Sequence, residues 1–294
     1  MNKVLPNIYS ALPRLSSCYT YNMLEFLNTF NYYSTLILPW FFVGIVISFL
    51  LNKYVDHRYL KKLSGKVNFK KIIFSQLVGM ISPLSILSFL PVARELTSWG
   101  VNPGLLLSFF IAERAYDLQS FFIISGLFGV KFAFLNALAI FLSLLVSAFF
   151  VRNTEVQFKT NKHEKGNHFW LRQVKLLLIV IIGIAFGTLI RVFVPEQLVI
   201  NSASGYISGF VSAVILGFSL YLGPIVGNYP VAKAFSDLGM SNLGTFAFLT
   251  ISPILNFVVI LLFGAAVGYK TALRTIFFYV LIATCMTFLF SAFL

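Results

Sequence analysis

The stretch Ile111-Ala-Glu-Arg-Ala-Tyr-Asp117 sets three charges inside an otherwise apolar segment, 103–128. A segment of that length crosses a bilayer as a helix, so Glu113, Arg114 and Asp117 are expected near the membrane centre. Charge there is costly. Insertion scales assign about +2.5 to +3.5 kcal/mol to each Asp or Arg at mid-helix, and such residues usually face a protein interior or a water-filled path. These three residues are therefore the leading functional candidates.

The rest of the chain agrees with a membrane setting. Of 294 residues, 59% are hydrophobic and only 11% charged, too little polar surface to cover a soluble globule. The net charge of +13 is not read as nucleic-acid binding. Its basic residues concentrate in 53–71 and 152–175, between apolar runs, where headgroup contact and the positive-inside bias account for them. Cys18 and Cys285 belong to no spaced motif, and His57, His163 and His168 lie in polar loops. Neither a disulfide framework nor a metal or cofactor site is expected. The N-terminus lacks the pattern of a cleaved signal peptide.

Taken in order, residues 1–33 are mixed and expected at the interface, and the first span is 34–51. Residues 53–71 follow as a basic amphipathic surface helix, with Val55, Tyr59 and Leu63 on one side. The apolar segment 72–99 is interrupted by Pro83 and Pro91, and proline inside a helix forces a kink or break. Spans 103–128 and 132–151 complete a first membrane unit, 34–151. A polar linker, 152–172, leads to a second unit, 173–294. That unit holds a span at 174–192, where Gly183 and Gly187 allow close packing. Next come a segment, 206–234, broken by Gly223, Pro224, Gly227 and Pro230, and spans at 243–267 and 271–293.

The two units read as a duplication. At a constant offset of 139, Pro91-Val92-Ala93 falls on Pro230-Val231-Ala232, Gly100 on Gly239, Gly129 on Gly268 and Lys131 on Lys270. Glu113, Arg114 and Asp117 fall on Ser252, Pro253 and Asn256, so both halves carry polar or helix-breaking residues at one place. Broken segments and polar-centred spans in matching positions are the pattern of a transporter with its site between repeats. Ser82, Ser85, Ser88, Tyr221, Asn228 and Tyr229 flank the breaks, and with Ser252 and Asn256 they are candidates for the solute path.

The expected fold is thus an all-α polytopic membrane protein of two homologous halves. Either the broken segments cross, giving eight spans, or they are re-entrant, giving six spans with inverted halves. In the first case the 21 Lys and Arg other than Arg114 divide 11 to 10 between the two sides, which gives no orientation signal. In the second, sixteen fall on one side and five on the other, and the positive-inside rule favours that arrangement.

At the breaks the chain resembles the predicted permeases that include the organoarsenical efflux permeases. The likeness rests on Ser85-Ile86-Leu87-Ser88-Phe89-Leu90-Pro91 with Gly100, and on Pro224-Ile225-Val226-Gly227-Asn228-Tyr229-Pro230 with Gly239. The run from Phe248 through Ser252-Pro253 to Asn256 extends it. The resemblance implies a tandem-repeat permease in the cell membrane. The Cys-Ser-Cys motifs of that family are absent here, and soft thiolates are the natural ligands of trivalent arsenic, so an arsenical substrate is not implied.

Glu113 and Asp117 are expected on one helix face, with Arg114 able to pair with Asp117 and leave Glu113 for proton coupling. A structural ion cluster is the alternative. The leading function is a secondary transporter exporting a small solute or ion, coupled to protons. No phosphate-cradling loop for ATP is present. An intramembrane enzyme using Glu113 and Arg114 is weakened by the lack of any His in a span. A non-transporting scaffold has no use for costly breaks. Membrane lipids are the other expected partners, and oligomerisation is left open.

Overall fold

The computed structural model describes residues 12–54, 67–81, 101–151, 169–220 and 225–294. Ser82, Pro83, Ser85, Ser88 and Pro91 of the first break lie outside the described residues, as do Tyr221, Gly223 and Pro224 of the second. So do most of the basic surface helix expected over 53–71 and most of the linker 152–172.

Helix α1 (Leu12–Tyr54) runs through position 33 without interruption. Its apolar stretch is Asn22–Ile47, beginning well before the expected start at Ser34. Tyr33, Ile37, Phe41 and Ile45, buried at four-residue spacing, form its packed face, and Phe26 stacked on Phe30 at 6.2 Å, with Phe30 against the core, extends the apolar surface back past Asn28 and Asn31. Helix α2 (Phe69–Ile81) packs on α3 (Pro103–Ala115) at Gly79, where a Cβ would lie 2.5 Å from the Phe109 carbonyl oxygen. The Ser75 hydroxyl donates to the Leu105 carbonyl across the same contact at 2.6 Å.

The expected continuous spans 103–128 and 243–267 are each divided. Tyr116 and Asp117 are extended between α3 and α4 (Leu118–Phe128). The turn at 252–256 separates α10 (Asn242–Ile251) from α11 (Phe257–Val267). The longer helices between and after these are α5 (Val130–Val151), α6 (Phe169–Phe193) and α12 (Tyr269–Ser291). After α6 comes a helix not anticipated from the sequence, α7 (Glu196–Ala203), set at 112° to α8 (Tyr206–Ser219). A short 3-10 turn, Ile225–Asn228, then leads into α9 (Tyr229–Asp237).

Four helical stretches among the described residues are long and apolar enough to cross a membrane: Asn22–Ile47, Val130–Phe150, Gln173–Phe193 and Tyr269–Ser291. On α12 the large side chains Leu273, Phe277 and Leu281 stand 50–61% exposed at four-residue spacing. A soluble protein rarely presents such a row, whereas lipid covers it without cost. The molecule is an all-α, multi-pass membrane protein.

Three geometric features organise it. First, α5 and α12 are antiparallel neighbours: the Arg274 guanidinium donates to the Phe150 carbonyl at 3.4 Å, and Phe150 stacks on Phe278 at 4.7 Å. Second, the chain from α8 to α10 goes in and returns. The Ser241 N–H, beyond α9, donates to the Ala203 carbonyl at 3.0 Å, and the Ser241 hydroxyl abuts Gly209 near the start of α8. Third, this hairpin reaches the midpoint of the apolar stretch of α6. A Cβ at Gly183 would strike the Gly227 carbonyl, and one at Gly187 would lie 2.7 Å from the Pro230 carbonyl oxygen.

Helix boundaries recur at the offset found in the sequence. Asn102 and Ser241 cap α3 and α10, and Asp117 and Asn256 cap α4 and α11. Gly129 and Gly268 end those last two helices at φ 91° and 88°, a conformation that suits glycine.

The α6–α9 seam is sensitive to any added side chain. Gly183→Val overpacks backbone against backbone, and such strain costs about 1–3 kcal/mol. A fall in the melting temperature of the detergent-solubilised protein, with no such fall for a Val at half-exposed Ala185, is the expected outcome.

Candidate functional site

The charged stretch 111–117 lies at the division between α3 and α4. Glu113 and Arg114 are half-buried in the last turn of α3. Asp117 is not on that helix: its backbone is extended (φ −130°, ψ 168°) and it is the N-cap of α4. The expectation that Glu113 and Asp117 share one helix face is therefore corrected. The physical reason is that Asp competes for nearby backbone donors, which favours the cap over a mid-helix position. The Ser120 N–H and the Ser120 hydroxyl both donate to Asp117 Oδ1 at 2.6 Å, and the Asp117 N–H donates back to Ser120 Oγ at 3.4 Å. This is a capping box, and the helix N-terminus favours the negative charge.

The cap is joined to the second half of the chain. The Tyr229 hydroxyl, fully buried at the start of α9, donates to Ser120 Oγ. Tyr229, expected on the solute path, thus meets the charged stretch through Ser120, which sequence reasoning missed. The Asp-x-x-Ser spacing was its signal. Next to the cap, the buried Gln119 amide donates to Gln173 Oε1 at 3.0 Å and ties the break to the start of the apolar stretch of α6.

The second division is built alike. Asn256 Oδ1 accepts from the Val259 N–H at 2.8 Å, and its amide donates to the Ser252 carbonyl at 2.7 Å. Asn256 therefore closes its own turn, while Ser252 packs against Gly217 of α8 and Pro253 is buried in the turn. Arg114 brings the two divisions together. It lines a narrow cavity with Ile254 of the second turn, Val259 in the first turn of α11 and Thr275, and Phe110, one turn before it, stacks on Phe263 at 5.4 Å. The free volume, about 10 Å³, admits about one water. A second cavity of the same size shares Ile111 and Thr275 and is lined by Ser108, Ser147 and Gln76. The Gln76 side chain is fully buried, and neither end of its amide has a partner among the described residues.

Asn228 is buried in the 3-10 turn, where its amide donates to the Ile225 carbonyl at 3.4 Å. Gly227 and Pro230 lie against α6 as described above. On α9, Tyr229, Lys233 and Asp237 recur at four-residue spacing and so share one face. That face follows α4: Tyr229 meets Ser120 in its first turn, and Lys233 lies 5.8 Å above the ring of Phe128 in its last. Lys233 pairs with Asp237 at 2.7 Å, and the Tyr33 hydroxyl donates to the other Asp237 oxygen at 2.8 Å. Lys233 is thus held in a protein contact. Among the described residues no cluster of His, Cys, Asp and Glu could hold a metal ion.

Two substitutions separate capping from the link between the halves. Asp117→Asn keeps an effective N-cap, whereas Asp117→Ala loses about 0.5–2 kcal/mol. Tyr229→Phe removes one buried hydrogen bond, about 0.5–1.5 kcal/mol. Thermal unfolding in detergent should rank Asp117→Asn nearest wild type, with the other two below it.

A family model described as "Predicted permease" matches residues 22–168, half of the chain. No curated protein and no solved structure matches it. The matched region contains the capped division at Asp117 together with most of α1, including Tyr33, which bonds Asp237. The chain belongs to the predicted permease family.

Proposed function

We propose that the protein is a secondary transporter of the cell membrane, built as two inverted repeats, 34–151 and 173–294, that exports a small solute in exchange for protons. The observation that carries this reading is the meeting of the two divisions. Arg114 of one half faces Ile254 and Val259 of the other, and Tyr229 reaches the Asp117 cap through Ser120. In transporters of this build, solute and coupling-ion sites lie at the repeat interface and use interrupted helices. The family membership supports transport over enzymatic or scaffolding roles.

The inversion is supported by the antiparallel packing of α5 and α12, which correspond at the offset of 139. The return of the chain to Ala203 after α9 supports a re-entrant second segment. With that topology the basic residues of 53–71 and 152–175 lie on the cytoplasmic side. Glu113 carries the coupling proton, and Arg114 and Asp117 set the charge around it. Non-helical backbone at membrane depth is tolerated where it is buried or lines a cavity. The turn at Asn228 is therefore assigned to the solute path, and Ser82, Ser85 and Ser88 are assigned to it from the proline-marked break in the sequence alone. The resemblance of the motifs to efflux permeases supports the outward direction.

Two measurements test this. Counterflow in proteoliposomes separates exchange from proton-coupled movement: Glu113→Gln should retain solute exchange and lose accumulation driven by a pH gradient, and normal accumulation would remove Glu113 from the mechanism. For topology, Lys131 and its counterpart Lys270 are both exposed. Single cysteines placed there, with Cys18 and Cys285 replaced by Ser, should label from opposite faces of the membrane. Labelling of both from one face overturns the inversion.

A further inference from the structure

We infer that a pocket away from the charged division, between α1, the end of α6 and the end of α9, is a binding site for a small oxyanion. The inference goes beyond the transport reading and does not depend on it, because binding alone tests it. The pocket has a volume of about 340 Å³ and is lined, among the described residues, by Thr29, Tyr32, Tyr33, Arg191 and Asp237.

The charge balance identifies the ligand class. Asp237 is already engaged on both oxygens, by Lys233 at 2.7 Å and by the fully buried Tyr33 hydroxyl at 2.8 Å. That ion pair is internally neutral. Arg191 faces the same space, and among the described residues no carboxylate lies within ion-pair distance of it. Among the described residues the lining therefore carries one net positive charge, on a guanidinium whose planar fork matches carboxylate and phosphate oxygens. The Thr29 hydroxyl is a further polar group of the lining, and Tyr32 is an exposed aromatic wall. A volume at the lower end of the range for small-molecule sites fits a compact anion with a small apolar body.

The Lys233–Asp237–Tyr33 arrangement also explains why the cation on offer is Arg191 and not Lys233. The lysine is 17% exposed, held by Asp237 and set over Phe128. Its charge is spent within the protein. The oxyanion has two sources of the same chemistry, a free solute or a lipid headgroup phosphate, since Arg191 lies in the last turn of a membrane-spanning helix.

The test uses the full chain and two arms. In dodecyl maltoside, benzoate and inorganic phosphate are titrated against sodium chloride at constant ionic strength, with melting temperature as readout. Ligand that binds only the folded state raises that temperature, by about 2 °C or more once the site is well occupied. In nanodiscs, phosphatidylglycerol is compared with phosphatidylcholine. A shift with either soluble probe that is lost in Arg191→Gln assigns the site to a free anion. A shift confined to phosphatidylglycerol and lost in the same variant assigns it to a headgroup. Arg191→Lys keeps the charge but not the fork and should weaken binding about tenfold, so it decides the matter if Arg191→Gln does not fold. The site is overturned if no probe and no lipid shifts the wild type, if the shifts persist in Arg191→Gln, or if Arg191→Lys binds as tightly as wild type.

Discussion

The constraint on which this structure depends is that no backbone polar group is left unsatisfied within a membrane. Both helices that run through the centre of the molecule, 103–128 and 242–267, are cut, and each cut exposes donors at the start of the following helix. Asp117 and Asn256 meet that demand with side-chain oxygens placed on the first-turn N–H groups. What reads as an expensive charge is, at Asp117, in part a repayment of a backbone debt. Ser120 completes the arrangement from the opposite direction, and Tyr229 then anchors the second half of the chain to it.

From that anchor the polar groups continue along α9. Tyr229, Lys233 and Asp237 form a line that follows α4 from its capped start to Phe128 at its end. Other buried polar contacts fix helices to one another both between the halves and within the second. Asn136 donates to Thr250 at 3.0 Å, and Tyr279 donates to the Thr250 carbonyl at 2.7 Å, fixing α5 and α12 to α10. Buried hydrogen bonds of this kind hold helices together in a bilayer, where apolar surface alone gives no preference for protein over lipid.

Much of this was legible in the sequence, and the failures have physical causes. Membrane class, the charged stretch and the matching positions at an offset of 139 follow from composition and register alone. The cut at Asp117 was hidden because apolar continuity over 103–128 outweighs one capping residue in any reading based on hydropathy. The Asp-x-x-Ser spacing that marks the cap spans only four positions. At 252–256 the proline gave a stronger warning, yet the turn depends on the Asn256 side chain bonding back to Ser252. The helix α7 had its start signal in Pro195-Glu196, overlooked because it is too short to span. The Asp237 site was beyond reach: Tyr33, Arg191 and Asp237 are far apart in the chain, and nothing local to any of them names the others.

The closeness of Gly183 to Gly227 and of Gly187 to Pro230 bears on how the molecule can move. Where helices meet through long side chains, rotamer changes can absorb small displacements, so the two partners can slide. At this seam main chain rests on main chain, and there is nothing to re-pack. If helix α6 and the hairpin that carries Tyr229, Lys233 and Asp237 keep this contact, they travel as one piece. A rearrangement that opens one side of the protein and closes the other then finds its sliding surface elsewhere, against α4 and α1, where α9 is met by side chains: the hydroxyls of Ser120 and Tyr33 and the ring of Phe128 under Lys233.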